Sequence, residues 1–255
     1  MKNILSLFLS FCLCVGLAGC SSKNDDDILK FFQAFDHTLD ADSAEIIGKV
    51  TIDTNDSYAM NLTAQLNQKE DLQLAVRLGL EAGDNRQDDY LDFYIKDGKT
   101  YLNNMGTKTQ STADKIGITG DEKLSAYNPF LDYTDDELTE FFTSSSRDGD
   151  NYSFDIDTGK LADALDSLGT VEVKEAHLDA TIKNNTIRKF KLTVSGTQNA
   201  SDDSADFSFS ISARIRNYNK DVTVDFPDDL DSYSTSDSSD TSSSDTSNSD
   251  SSDAS

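Results

Sequence analysis

The sequence predicts an α+β protein built on a strongly curved antiparallel sheet whose apolar face is covered by helices. Two observations support this class. Apolar and polar residues alternate, as in half-buried strands, over residues 45–105 and again over 171–215. Before and between these stretches, apolar residues recur at three- and four-residue steps, as in helices. A twisted sheet with one apolar face curls, and helices laid against that face would cover it.

Residues 25–44 are predicted to form the first helix. Apolar residues from Ile28 to Leu39, including Phe31 and Phe35, recur at helical spacing. The aspartates at 25–27 suit the positive end of a helix dipole. We expect the apolar stripe to face the core.

Strands joined by hairpins are predicted from residue 45 to residue 105. Asn55-Asp56, the acidic run 83–89 and Asp97-Gly98 mark the turns. The residues predicted to lie on the apolar face are Ile46, Val50, Ile52, Tyr58, Met60, Leu62, Ala64, Leu66, Leu72, Leu74, Val76, Leu78, Leu80, Leu91, Phe93 and Ile95.

The middle of the chain is predicted to hold two helices and a short strand. Thr134 and Glu137 form a capping-box pattern, which predicts a helix over 135–144 whose apolar edge includes Leu138 and Phe142. A strand over 152–156 follows. A second helix then begins at Asp157 or Thr158 and carries Leu161, Ala164, Leu165 and Leu168.

The last third returns to strands. Apolar residues change parity between Val173 and Ala176, which predicts a bulge near Glu175. Asn184-Asn185 is a predicted turn, and the alternation from Phe207 through Phe209 to Ile215 predicts a long strand. A final strand is expected to end at Pro227.

The amino terminus predicts export and lipid anchoring. Residues 4–19 are apolar or small but too few to span a bilayer comfortably. The four residues 17–20, Leu-Ala-Gly-Cys, resemble the lipobox of bacterial lipoproteins. That resemblance implies removal of residues 1–19, acylation of Cys20 and attachment to the extracellular face of the cell membrane. The alternative is an ordinary secretory signal that happens to end at a cysteine.

The remaining organisation follows from composition. Residues 20–27 would be the lipidated cysteine and a short tether, 28–233 a single domain, and 234–255 a disordered Ser/Asp-rich tail. The formal charge of −25 argues against a nucleic-acid partner, because phosphate binding needs clustered cations. Cys12 and Cys14 lie in the predicted signal, so an acylated Cys20 would leave the mature chain without a free thiol.

The sequence offers little catalytic or metal-binding chemistry. His37 and His177 show no ligand spacing and are expected to be exposed. Residues 148–157 depart from the EF-hand pattern, and no phosphate loop or nucleophile elbow occurs. We therefore expect no cofactor, no metal and no enzymatic activity, with an envelope hydrolase as a distant alternative.

Three tyrosines are predicted on the polar face of the sheet. Tyr90 and Tyr94 alternate with Leu91 and Phe93, and Tyr101 can join them across the turn at 97–98. They either line a ligand or partner surface or form ordinary cross-strand pairs on a solvated face. The second interpretation is preferred.

One segment carries a family resemblance. "DFYIKDGKTYLNNMGTK", residues 92–108, resembles a strand-turn-strand of Gram-positive membrane lipoproteins of the LppX/LolA-like type, through Tyr94, Lys96-Asp97-Gly98, Tyr101, Gly106 and Lys108. "DFPDDLDSY", residues 225–233, resembles the final strand of such a family. The resemblance implies a half-barrel with helices in its mouth and an apolar cavity between them, and several such proteins carry lipids.

Two functional hypotheses follow. The first is a non-enzymatic, membrane-anchored lipoprotein that binds a lipid or other apolar ligand between sheet and helices. The alternative is a cell-surface structural or protein-interaction module with a filled core and an envelope protein as partner. The predicted ligand-binding residues are Phe31, Phe35, Leu138, Phe142, Leu165, Phe207 and Phe209.

Overall fold

A computed structural model of the chain describes residues 23–54, 56–83, 85–165, 171–200 and 203–235. In these ranges the helices are α1 (Asp25–Leu39), α2 (Asp135–Thr139) and α3 (Thr158–Leu165), with short 3-10 turns at Ala113–Ile116, Leu124–Tyr127 and Leu230–Ser232. The strands are β1 (Ser43–Asp53), β2 (Ser57–Asn67), β3 (Gln73–Ala82), β4 (Asn85–Lys96), β5 (Lys99–Asn104), β6 (Thr107–Thr112), β7 (Phe142–Asp148), β8 (Asn151–Ile156), β9 (Val171–Lys183), β10 (Thr186–Ala200), β11 (Asp203–Arg216) and β12 (Ser234–Thr235).

The described strands form one sheet in the order β12-β6-β5-β4-β3-β2-β1-β11-β10-β9-β8-β7. Every neighbouring pair is antiparallel except β12 and β6. The sheet therefore consists of two meanders, β1–β6 and β7–β11, joined where β1 pairs with β11. It is curved and does not close. This confirms the predicted α+β class with a curved antiparallel sheet and covering helices.

Helix α1 begins at an N-cap and ends earlier than predicted. The Asn24 side chain accepts a hydrogen bond from the backbone N–H of Asp26 at 3.1 Å, which satisfies one of the free donors of the first turn. The helix stops at Leu39, and strand β1 begins at Ser43 within the stretch that the sequence assigned to the helix. On the core side, Phe31 is 8% exposed.

Helix α2 is much shorter than the predicted helix over 135–144. The capping box is present, because Thr134 accepts from the N–H of Glu137 while the Glu137 carboxylate accepts from the N–H of Thr134 at 2.8 Å. The chain leaves the helix at Thr139, and Phe142 starts strand β7, where it pairs with Ile156 of β8. The run after Phe142 is Ser/Thr-rich and favours a strand over a helix.

The main hydrophobic core lies between the helices and strands β7–β11. Phe154 at its centre is 0% exposed, and its ring centroid is 4.5 Å from that of Phe142 and 5.4 Å from that of Phe31. Phe32 contacts Phe130 at 4.8 Å in an edge-to-face arrangement. Helix α1 thus covers one part of the apolar face with closely packed rings.

A second core lies on the other face of the sheet and corrects two predictions. Residues 221–227 form an extended strap rather than the predicted closing strand, and Val224, Phe226 and Tyr233 pack onto β3–β5. Tyr94 pairs across the strands with Tyr101, as the preferred interpretation predicted, but the two are only 3% and 8% exposed beneath the strap, so the face is not solvated there. The strap crosses the strands instead of pairing with them.

The predicted turns at 97–98 and 184–185 and the predicted bulge are present, whereas most of the acidic run 83–89, predicted as a turn, belongs to β4, which begins at Asn85; Asn55 of the predicted turn 55–56 lies outside the described residues. Asp97-Gly98 and Asn184-Asn185 adopt positive φ angles of 52° and 68° and of 53° and 58°, as two-residue hairpin turns require. In the pairing of β9 with β10, Ser195 faces Glu175 and Gly196 faces Val173, which leaves one extra residue in β9. This confirms the bulge near Glu175.

Candidate functional site

The covering elements leave the middle of the apolar face partly open. Helix α1 contacts β7, β9 and β10, and α3 contacts β9. At the other side, Ile118 and Leu124 of the connection after β6 pack on Leu66, Leu72 and Ile95. Between these covers lies a group of residues that we call the central apolar surface, on β1–β4 and β11: Val50, Ile52, Met60, Leu62, Leu78, Leu80, Leu91 and Ile211.

The strand register makes this surface continuous. Ile211 pairs with Val50, which pairs with Met60 of β2, and Met60 pairs with Leu80 of β3. A parallel row runs from Leu62 to Leu78 and on to Leu91. Directly opposed residues of antiparallel strands share one face. The rows therefore form an unbroken apolar band across five strands.

Exposure distinguishes this band from the core. Val50 is 6% and Leu78 5% exposed, whereas Ile52, Met60, Leu62, Leu80, Leu91 and Ile211 are half-buried. Its side chains carry no ionisable group. The interaction available to such a surface is the removal of apolar area from water, and it suits a hydrocarbon chain or an apolar protein segment.

The structure distributes the predicted ligand-binding residues over two environments. Phe31 and Phe142 are buried against each other, with ring centroids 5.7 Å apart. Phe35 and Leu138 are half-buried at the rim of the same core. Phe207 and Phe209 lie half-buried on β11, and Phe209 is paired with Ile52 of the central apolar surface. The last two thus connect the core to the open band.

Two predicted positions fall outside the description. Leu165 ends α3, but its side chain is not among those described, and Cys20 precedes the first described residue. The prediction also omitted Met60, Leu62 and Leu80 from the site, although it placed them on the apolar face. Their alternation was visible in the sequence, but nothing there showed which strands the helices would leave open.

A Ser-His-Asp array lies on the polar face of β8 and β9. The Ser153 Oγ atom is 2.9 Å from Nε2 of His177, whose Nδ1 atom is 2.8 Å from the Asp155 carboxylate. However, Ser153 also donates to Asp179 at 2.7 Å, and β8 is paired on both sides, so ladder bonds occupy the nearby backbone N–H groups. Hydrolysis needs free donors for an oxyanion. We interpret the array as cross-strand hydrogen bonding.

This array has a local electrostatic effect. A hydrogen bond from Ser144, together with His177, lowers the pKa of the Asp155 carboxyl below its ordinary value. His177 is partly exposed rather than fully exposed as expected, and His37 is exposed.

Ionisable groups under the strap are perturbed by burial. Burial raises the pKa of the Asp92 carboxyl, while a hydrogen bond from Asn103 to its Oδ2 atom at 3.0 Å acts in the opposite direction. The Oδ1 atom of Asp92 has no hydrogen-bond partner among the described residues. Burial also raises the pKa of the Tyr233 hydroxyl to about 12.

The described ranges contain no group of three or more His, Cys, Asp or Glu side chains arranged to hold a metal ion. No helix in the described part of the chain combines the length and apolar composition needed to cross a bilayer.

No protein-family model and no curated protein sequence matches this chain. Among solved structures, it is similar to LprF from Mycobacterium bovis, with 10% identity and a TM-score of 0.40 over 81% of this chain and 99% of LprF. It is also similar to the LolA superfamily protein NE2245 from Nitrosomonas europaea, with 10% identity and a TM-score of 0.26 over 82% of this chain and 97% of that protein. Nothing about function follows from likenesses this remote.

Proposed function

We propose that this chain is a membrane-anchored extracellular lipoprotein that binds a lipid or other apolar ligand on the central apolar surface and catalyses no reaction. Residues 1–19 would be the removed signal, Cys20 the acylated first residue and 28–233 the binding domain. The observation that carries the binding proposal is the continuous band from Ile211 to Leu80, in which Val50 is buried while Ile211, Met60 and Leu80 stay partly exposed beside a helix-covered core. Contiguous apolar residues that stay partly exposed are a feature of binding surfaces.

The proposed mechanism is burial of an acyl or similar chain along the band. Each methylene removed from water contributes about 0.8 kcal/mol. A chain lying across the strands would contact Ile211, Val50, Met60 and Leu80 in turn, and Phe207 and Phe209 would flank it on β11. Phe35 and Leu138 stand at the rim of the neighbouring core and remain proposed ligand-binding residues. Binding of this type needs no charged headgroup contact.

The ligand is tested with the chain from residue 20 carrying Cys20→Ser, which removes the proposed anchor. Organic extraction and mass spectrometry should find a co-purified lipid, and a fluorescent fatty acid should bind with enhanced emission. Met60→Glu places a charge in the band and should weaken binding by at least about tenfold, since roughly 60 Å² of lost apolar contact at 25 cal/mol per Å² corresponds to about 1.5 kcal/mol.

The matched control is Thr63→Glu, on the same strand but the opposite, exposed face. It adds the same charge and should leave fatty-acid binding unchanged. Thermal unfolding by circular dichroism establishes that both variants fold. Equal affinities for the two variants, or no binding by the parent chain, would contradict the proposal.

The anchor is tested separately. When cells expressing the full chain are given labelled palmitate, the protein should carry the label on a gel, and Cys20→Ala should abolish the label and release the protein from the membrane fraction. An unlabelled parent protein would contradict lipid attachment and leave the ligand test unaffected.

A second candidate function is a surface module that binds an envelope protein through the same band. The observation in its favour is the filled core beneath α1, where rings of Phe31, Phe142 and Phe154 occupy the space between helix and sheet. Capture of one envelope protein by the parent and by Thr63→Glu, but not by Met60→Glu, together with no extracted lipid, would favour this candidate.

A further inference from the structure

A groove lies on the polar face of the sheet, opposite the helices. It has a volume of about 950 Å³ and is lined by residues of β1, β2 and β7–β11. We call it the cationic groove. Its charged lining residues are six cations and two carboxylates: Lys49, Arg147, Lys189, Lys191, Arg214, Arg216, Asp148 and Asp179.

Four of these cations form no ion pair with any residue in the described ranges. Lys49 is 3.4 Å from Glu81 and Arg147 is 3.7 Å from Asp27. The other four cations are exposed, and the described part of the chain offers none of them an ion-pair partner: Lys189, Lys191, Arg214 and Arg216.

The register places two of these four cations opposite each other and two opposite carboxylates. Lys189 pairs directly with Arg214, an arrangement in which like charges repel. Lys191 lies opposite Asp179 and Arg216 opposite Glu45, where the carboxylates accept hydrogen bonds from Ser153 and Asn217 at 2.7 Å each. The groove therefore has a net positive lining of six cations and two carboxylates, and Lys189 and Arg214 have no carboxylate directly opposite them in their own strand pair.

Composition makes this lining unusual. The chain has 47 acidic and 22 basic residues, so carboxylates are available for every cation. A repulsive pair such as Lys189 and Arg214, in a groove with more cations than carboxylates, is a suitable binding position for an anionic segment.

The chain itself supplies a complementary segment. Beyond β12, residues 236–255 contain five aspartates, no lysine or arginine, and otherwise Ser, Thr, Asn and Ala. We propose that this tail docks in the cationic groove. The inference does not depend on the lipid anchor or on the apolar ligand.

The tail is long enough to reach. From β12 to β2 there are five strand spacings, and from β2 across the groove to β7 there are six. At about 4.8 Å per spacing these distances are roughly 24 Å and 29 Å. Twenty extended residues span up to about 66 Å. The first part of the tail can therefore pass over the strap, which lies on β3–β5 on the same face, and reach β2, and the part containing Asp245, Asp250 and Asp253 can lie along the groove.

Docking of this kind is electrostatic and salt-dependent. Each exposed ion pair is individually weak, but attachment to the same chain gives the tail an effective concentration in the millimolar range. At an ionic strength of about 0.5 M the screening length is only about 4 Å, and the docked population should fall.

The test uses paramagnetic broadening in the chain from residue 20 carrying Cys20→Ser and Asn248→Cys, with a nitroxide on the new cysteine. Amide signals of Lys189, Lys191 and Arg214 should broaden at low salt, and the broadening should fall by more than about half in 0.5 M NaCl. The double variant Lys191→Gln/Arg214→Gln should lose most of the broadening at the remaining groove amides.

The matched control is Lys99→Gln/Lys220→Gln, which removes the same charge from exposed positions outside the groove. It should retain the broadening. Absence of broadening in the parent, or equal loss in both double variants, would overturn the proposal.

Broadening seen only when spin-labelled and isotope-labelled copies are mixed would assign the groove to a second copy's tail. Binding of a chain ending at Thr235 to phosphatidylglycerol vesicles, without tail broadening, would assign it to a membrane surface. Either result overturns docking of the chain's own tail.

Discussion

Replacement of Phe154 by alanine tests whether the space under α1 is packed core or a ligand cavity. The Phe154 side chain is 0% exposed and touches the rings of Phe31 and Phe142 at centroid distances of 5.4 Å and 4.5 Å. Removing a fully buried phenylalanine ring costs about 3–5 kcal/mol, and the ring contacts place Phe154 at the upper end. We expect Phe154→Ala to lose about 4–5 kcal/mol of unfolding free energy.

The assay is urea unfolding at constant pH, followed by far-ultraviolet circular dichroism because the chain contains no tryptophan. A loss of this size is a large part of the 5–15 kcal/mol typical of a domain. Phe154→Leu, which leaves most of the volume filled, should lose about 1–2 kcal/mol and remain measurable if the alanine variant unfolds.

The matched control is Phe35→Ala at the half-buried rim, where the described ring contact is with Phe130 at 5.6 Å. It should lose about 1–2 kcal/mol. If Phe154→Ala lost less than about 1 kcal/mol, the ring would be lining an empty or ligand-filled space, and the filled-core interpretation of the α1 side would be wrong.

Three further predictions concern the strap and α2. Tyr233→Ala should expose residues 222–235 to faster hydrogen exchange, because the Tyr233 ring packs on Tyr101 at 5.6 Å and is 3% exposed. Asp92→Asn should stabilise the protein by about 1 kcal/mol at pH 7, because it removes a buried carboxylate with one oxygen unpaired among the described residues. Since the folded-state pKa of Asp92 is raised, the gain in stability should shrink as the pH falls through that pKa. A gain independent of pH would contradict this origin. Thr134→Ala should cost about 1 kcal/mol in urea unfolding through loss of the capping box, whereas Thr134→Ser should cost little.

Features that depend on neighbouring residues were predictable from the sequence. The capping box at Thr134, the turns at 97–98 and 184–185, and the bulge near Glu175 each follow from the chemistry of a few adjacent positions. Strands β1–β5 and β8–β11 were predictable for the same reason, because a period of two is a local property, whereas β6 was not predicted and β7 begins within a predicted helix. The curved sheet then follows from their apolar faces.

Features that depend on distant contacts were not predictable. Tyr94 alternates with apolar neighbours, which fits either a solvated face or a second core, and Tyr233, which packs in the same second core, is more than a hundred residues away in the chain. Phe142 shows the same limit: its sequence neighbours fit a helix edge, but pairing with Ile156 makes it a strand residue. Likewise, the half-burial of Met60 depends on which strands the helices cover, and α1 contacts β7, β9 and β10.

The covered part and the open part of the apolar face lead to different predictions, one about stability and one about ligand binding. A filled core needs every ring under α1 for stability, so Phe154→Ala should be costly whether or not a ligand exists. Met60 is expected to matter for ligand binding but little for stability, because that residue is only half-buried. A chain in which Phe154→Ala is costly and Met60→Glu lowers both stability and ligand affinity equally would not fit this division. It would mean that the band is closed in solution, and that the apolar face as a whole serves as core.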